Sequence, residues 1–341
     1  MQNIHGKIKS EYERRQKSAL DKLEARKAEI YSKIPRLYEV DSHIRHTGIK
    51  HNRLILQAVD QAGAILDSLL DEIDSLRREK AELLADFGYP ADYLEMTFEC
   101  PQCKDSGFIQ GKDGSEKCSC YKQQLINILY RESNLQLSRN ENFSSFDPNL
   151  FPDITDESRY GIKTSPRENI LGIRERCLQF IDRIDSPAEK NLFFSGPAGV
   201  GKTFMSNCIA LEVMNKGYTV LYQTAPVLFN TINQFRMKSS RDDEFEDMSY
   251  RSIFDVDLLI VDDLGTEPPS AARYAELLNI LNTRHSNNLS RPCKLIISSN
   301  LGIKNLYEYY TERVASRVVG NFDMYRFAGE DIRTVKKLTG R

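Results

Sequence analysis

The chain has 341 residues, 40% apolar and 28% charged, which is enough apolar sequence for a buried core and excludes a wholly disordered protein. Lys plus Arg number 47 against 49 Asp plus Glu, so the overall charge neither requires nor excludes a nucleic-acid partner; a basic face can sit inside a neutral sum. No apolar run approaches the ~18 residues of a membrane span, and Met1 to Gly6 carry no apolar leader, so the expectation is a cytoplasmic protein with reduced cysteines and no membrane partner.

In chain order, the first predicted element is a helix over residues 5–34. Ile8, Tyr12, Ala19, Leu23, Ile30 and Ile34 mark its apolar face, and Pro35 ends it. The first 36 residues hold ten Lys/Arg and five Asp/Glu; this basic stretch reads as a solvated helix face or a nucleic-acid arm. Over residues 55–83, Ile55, Val59, Ala62, Leu66, Leu69, Ile73, Leu76 and Leu83 follow heptad spacing, with Lys80 at one seam position. That pattern predicts a coiled-coil or helical-hairpin seam. Gly88-Tyr89-Pro90 then breaks the helix. Residues 1–96 are accordingly expected to form a helical, partner-binding region.

Four of the seven cysteines fall within 21 residues: Cys100, Cys103, Cys118 and Cys120. A Cys-x-x-Cys knuckle and a closing Cys-x-Cys, separated by a glycine-containing segment, suit four thiolates around one structural zinc ion on a short ribbon. A redox pair or four unrelated thiols is the alternative. Cys177, Cys208 and Cys293 sit among apolar neighbours and read as core residues. Residues 97–135 are assigned to a zinc-binding segment and helix, 136–166 to a linker and lead-in, and 167–341 to a nucleotide-binding domain.

That domain carries three linked motifs. Gly196-Pro197-Ala198-Gly199-Val200-Gly201-Lys202-Thr203 follows a strand-like segment, Asn191–Ser195, and opens a helix-like one. Its backbone N–H groups can cradle phosphates, Lys202 can reach the β- and γ-phosphates, and Thr203 can ligate Mg²⁺. The charged stretch at 236–251 (Arg236, Lys238, Arg241 and Arg251 among five acids) reads as a solvated loop or a DNA- or partner-facing one. Leu258–Val261 is an apolar strand ending in Asp262 and Asp263. Asp262 is placed to hold Mg²⁺ and Asp263 to polarise the attacking water. A third apolar strand, from Lys294, ends at Asn300, which can orient water against the γ-phosphate.

Together these motifs resemble the AAA+ superfamily, and within it the bacterial replicative helicase loaders of the DnaC and DnaI type, whose relatives include the IstB ATPases of transposition. The resemblance covers about residues 143–336. It is carried by Gly196–Thr203, Val261–Gly265, Ser298–Asn300, Glu312–Val318 and Phe327–Arg333; a cysteine ribbon behind a helical start looks like the DnaI arrangement in particular. It implies an α/β fold: an AAA+ core with a parallel sheet flanked by helices, and the Asn300 strand inserted between the phosphate-loop and acidic strands. It also implies an ATPase that binds ATP or ADP, is weak alone and self-associates across the ATP site. Such a protein places a DnaB-type ring helicase on single-stranded DNA. Arg317 resembles the arginine finger, with Arg313 as its rival, and Arg333 resembles the second sensor. Phe146 lies in what looks like the lead-in strand beside adenine. The alternative within the resemblance is an IstB-like transposition helper that binds duplex DNA and a transposase.

Overall fold

The computed structural model describes residues 4–57, 62–111, 114–129, 141–237 and 244–339. They divide into two compact units, residues 1–118 and 119–341. The division falls inside the predicted 97–135 segment, ahead of its helix.

The first unit opens with α1 (Ile4–Lys33), α2 (Pro35–Gln57) and α3 (Ala62–Asp86). As expected, α1 ends at Lys33, just ahead of Pro35, but Pro35 does not end the helical region. It occupies the first position of α2, where the missing N–H is no loss and the fixed φ suits a helix start, and the sequence reading missed that helix. The predicted 55–83 seam is shared between two helices: Ile55 lies in the last turn of α2, which runs to Gln57, α3 begins at Ala62, and Val59 lies outside the described residues. The two helices pack antiparallel. Arg36 reaches Glu79 at 2.8 Å, Lys80 reaches Asp41 at 2.7 Å and Thr47 reaches Glu72 at 3.2 Å. Lys80, the polar seam position, is thus paired within a helical hairpin, and Tyr31 hydrogen-bonds the same Asp41 carboxylate. Ile30, Ile34, Leu37, Leu84 and Leu94 form the apolar centre. A two-stranded antiparallel ribbon, β1 (Phe108–Gly111) and β2 (Gly114–Lys117), ends the unit.

The second unit runs α4 (Ser119–Leu129), α5 (Glu157–Tyr160), α6 (Pro166–Asp182), β3 (Asn191–Ser195), α7 (Lys202–Asn215), β4 (Val220–Thr224), α8 (Ala225–Met237), α9 (Glu244–Asp255), β5 (Leu258–Leu264), α10 (Ala271–Asn287), β6 (Lys294–Ser299), α11 (Ile303–Tyr309), α12 (Glu312–Asn321), β7 (Phe322–Arg326) and α13 (Ile332–Thr339). The five long-range strands form one parallel sheet in the order β4-β5-β6-β3-β7, so β6 does lie between β3 and β5. The runs Leu192–Phe194, Leu258–Val261 and Leu295–Ile297 in its inner strands are apolar and buried, as strands covered by helices on both faces are, whereas the edge strand β7 is mixed and half-buried. Leu192, Phe194, Tyr222, Leu258, Ile260 and Ile296 meet α6 and α7 on one face; the alternate residues serve the other. Cys177, Cys208 and Cys293 are buried core thiols as expected, and burial pushes the Cys208 thiol up to about 12.

Two expectations need correction. Residues 143–147 form no strand: Phe143–Ser145 and Pro148–Leu150 are single 3-10 turns, because the Asn142 and Asp147 side chains cap them and Pro148 pre-sets the second. The charged stretch 236–251 is largely helical, with Phe235 stacked on Tyr250 at 4.1 Å between ring centroids. Lys238 and Arg241 lie outside the described residues, and Arg236 pairs with Glu276 at 2.5 Å.

At the N-terminal end of the sheet, Lys294 is fully buried and donates to the carbonyls of Ser186 and Glu189 at 2.7 and 2.6 Å. Burial pulls its pKa down to about 8. The unfolded lysine titrates near 10.4, so between these values the unfolded chain binds more protons and stability rises with pH. Lys294→Met is expected to remove about 1–2 kcal/mol of the rise between pH 8 and pH 10. Urea unfolding of both proteins at the two pH values checks this; parallel pH slopes would refute it.

Candidate functional site: a nucleotide cleft and a four-cysteine cluster

The carboxyl ends of β3, β6 and β5 meet where the strand order reverses, the place where open α/β sheets bind ligands. A cavity of about 390 Å³ opens there, lined by the phosphate loop, Asp263, Asn300, Phe146, Arg333 and Lys336 among others. Gly196 and Gly199 have φ of +145° and +80°, and a Cβ at either would collide with Phe327 or Asp331, which pack against the loop. The loop is therefore shaped by glycine and closed from above by the start of α13, whose Ile332 N–H donates to Gly199 O at 2.9 Å.

Lys202 is 5% exposed. Its ammonium donates to the carbonyls of Gly196 and Pro197, both at 2.7 Å, and to Asn300 Oδ1 at 2.8 Å. Burial lowers its pKa, with Asp263 and Asp262 opposing the shift. Thr203 donates to Asp262 Oδ2 at 3.0 Å, and Tyr222 donates to the same oxygen at 2.8 Å. Ser298 hydrogen-bonds Asp262 Oδ1 and accepts from the Asp263 N–H at 3.1 Å. Burial first, then the neighbouring Asp262 carboxylate, pushes the Tyr222 phenol up.

Asp262 and Asp263 are adjacent on a strand, where regular geometry would send them to opposite faces. An irregularity between Val261 and Leu264, with Asp263 at φ +55°, turns Asp263 into the cavity wall, while Asp262 lies behind the wall, 3% exposed and bonded to Thr203, which lines the cavity. Burial first, then Asp262, raises the Asp263 pKa, while Lys202 and Arg333 oppose the rise. A carboxylate so perturbed is suited to accept a proton.

The base-sized end of the cavity is aromatic and aliphatic. Phe146 lies 6.4 Å from both Phe151 and Phe204, centroid to centroid, and the Arg174 guanidinium sits over Phe146 at 5.7 Å. The donor set around Thr203 and Asp262 is all oxygen, the chemistry Mg²⁺ prefers, and the loop carries the N–H groups and cation that a polyphosphate needs. The cleft thus fits a magnesium nucleotide. Arg313 and Arg317 are exposed on α12 and do not line this cavity. Sequence reasoning missed Tyr222, Ser298, Phe204 and Lys336. Ser298 stood inside a quoted motif, and Tyr222 was a polar-tipped residue in an apolar strand, a faint signal.

Residues 166–334 match the family model for IstB-like ATP binding proteins. Residues 166–334 form an IstB-like ATP-binding domain. An insertion-sequence ATP-binding protein of Sinorhizobium fredii is 30% identical over 151 residues, which cover 43% of this chain and 58% of that protein. The replicative helicase loader DnaC of Escherichia coli K12 is 25% identical over 228 residues, covering 63% of this chain and 87% of the loader. A crystal structure of DnaI superposes on 54% of this chain and 89% of its own, at 23% identity with a TM-score of 0.41. The chain thus spans little more than half the length of the first of these relatives. The order of its parallel sheet, with the Asn300 strand between the phosphate-loop and acidic strands, gives the domain the AAA+ architecture.

Outside the IstB-like domain, Cys100, Cys103, Cys118 and Cys120 have their sulfurs all within 4.8 Å of one another. Cys100 and Cys118 are 3.8 Å apart, sulfur to sulfur. Four thiolates at ~2.3 Å from a central zinc ion would have edges of about 3.8 Å. The knuckle is pre-shaped by Asp105, 1% exposed, whose carboxylate accepts from the N–H groups of Glu99 and Cys100, both at 2.9 Å. Gly107 N–H points at Cys103 Sγ at 3.4 Å.

Proposed function

We propose that this protein is an ATPase that loads a ring-shaped, DnaB-type replicative helicase onto single-stranded DNA. The observation that carries this reading is the extent of the likeness to DnaC. It takes in 228 residues and 87% of that loader, more than the 169 residues (166 to 334) of the matched domain, whereas the insertion-sequence protein is matched over 58% of its length.

In this reading the phosphate loop, Gly196 to Thr203, wraps the polyphosphate of ATP and Lys202 exchanges its carbonyl partners for phosphate oxygens. Thr203 and Asp262 would hold Mg²⁺, which supplies charge neutralisation at the phosphates. Asp263 takes the proton of the attacking water, and Asn300 orients that water. Phe146 packs against the base, and Arg333 faces the phosphates from α13. Arg317 serves the cleft of a second copy, so assembly and turnover are linked, with Arg313 as the alternative finger. The four cysteines hold a structural zinc ion, and the helical hairpin meets the helicase.

The test is reconstitution of the full-length chain with its own cell's replicative helicase and a forked DNA. Co-elution with the helicase in ATP, and a preference for single over double strands, are expected. Binding to duplex DNA and a transposase, with no helicase complex, would instead assign the protein to transposition.

A further inference from the structure

Asp262 is held by more donors than packing requires. It is 3% exposed and accepts from three hydroxyl groups on three elements. Tyr222 on β4 and Thr203 on α7 both reach Oδ2, at 2.8 and 3.0 Å, and Ser298 on β6 reaches Oδ1. Of these, Thr203 is the group that would turn to a metal ion and leave Oδ2. Tyr222 has no such second task. Its ring is 1% exposed and lies in the apolar cluster under α6 and α7, so β4 fixes where its hydroxyl points.

A phenylalanine would serve the packing equally well. A phenol hydroxyl in that cluster is costly to bury unless bonded, and here its bond is to the carboxylate that the magnesium reading depends on. Ser298 does a related task from the other side. It grips Oδ1 while its Oγ accepts from the Asp263 N–H at 3.1 Å, fixing the backbone at φ +55°.

We infer that Tyr222 is a positioning residue for the metal site: its hydroxyl holds Asp262 in the orientation that receives Mg²⁺ with the nucleotide. The inference rests on the magnesium–nucleotide reading of the cleft. Residues one shell out from a metal ligand change metal affinity by about 10–100-fold when removed.

The experiment is a titration of Mg²⁺ into full-length protein holding a fluorescent ATP analogue, for wild type, Tyr222→Phe and Ser298→Ala. Tyr222→Phe is expected to raise the Mg²⁺ concentration for half-maximal tight binding by about tenfold or more. Analogue affinity in chelator stays at the wild-type value, and kcat recovers at saturating Mg²⁺. Ser298→Ala should raise the Mg²⁺ requirement and also lower kcat at saturation, because Asp263 loses its anchor. If wild type binds the analogue tightly and magnesium-dependently but Tyr222→Phe leaves the midpoint unchanged, the inference is overturned and the nucleotide reading stands. A Tyr222→Phe loss of affinity that is equal with and without metal also overturns it, since that is what a purely structural role predicts. If wild type shows no magnesium-dependent binding, both fall.

Discussion

Lys202→Ala is expected to weaken ATP binding by about 1000-fold, since two charge-assisted hydrogen bonds to phosphate oxygens contribute ~1.5–3 kcal/mol each. In the free protein the ammonium is buried against Gly196 O, Pro197 O and Asn300, and burial lowers its pKa. The charge is therefore held at a cost that phosphate binding relieves. For the same reason the variant should melt within a few degrees of wild type. Loss of its buried charge offsets part of the loss of its three hydrogen bonds. Titration with a fluorescent ATP analogue, alongside a melt, is the measurement. Affinity within threefold of wild type would show that Lys202 does not meet the phosphates, and the site assignment would fail with it.

Metal removal is the second large effect. The ribbon of β1 and β2 has four residues per strand, too little to be stable alone. If one zinc ion ties its four sulfurs, the ~10–16 kcal/mol of structural zinc binding is folding free energy for this segment. Purified full-length protein is expected to carry one zinc per chain. Exhaustive chelation should let trypsin cut after Lys104 and Lys117, whose side chains are exposed but whose backbone the folded segment holds, while ATP binding persists. Cys103→Ser should reproduce the chelated state. Metal-free protein with unchanged melting and protease resistance would return the cluster to four ordinary thiols.

Much of the nucleotide cleft is legible in the sequence. A glycine loop between a strand and a helix has few alternatives, because each residue type there has a local reason to be present. The acidic strand and the Asn300 strand were legible as short apolar runs ending in polar residues. Their interleaving, β6 between β3 and β5, came from a resemblance and not from spacing. The helical start was only half legible. Heptad spacing ran on through the junction of α2 and α3, since the period of a seam carries no mark of where one helix of a hairpin ends. The end of the first helix ahead of Pro35 was read correctly, but the helix that Pro35 opens was missed, because proline punctuates both the end of one helix and the start of the next. The lead-in at residues 143–147 was misassigned to a strand because Asn142 and Asp147 offer local hydrogen bonds that outcompete an extended pairing.

By itself the sequence determined the chemistry available: a phosphate loop with its lysine and threonine, two carboxylates, a polar sensor, and four thiols at chelating spacing. Local covalent order dictates these, since neighbours in sequence are neighbours in space. What only the tertiary structure decided is how separate elements converge. The turn at φ +55° sets Asp263 in the wall of the cleft while Asp262, the residue before it, stays buried against Thr203. Tyr222, Thr203 and Ser298, drawn from β4, α7 and β6, close on one carboxylate. The packing of α13 brings Arg333 and Lys336 over the phosphate loop while Arg317 stays on the outer surface. Such meetings depend on strand order and register, which are set by burying the apolar faces of distant segments against one another, and no local pattern encodes them.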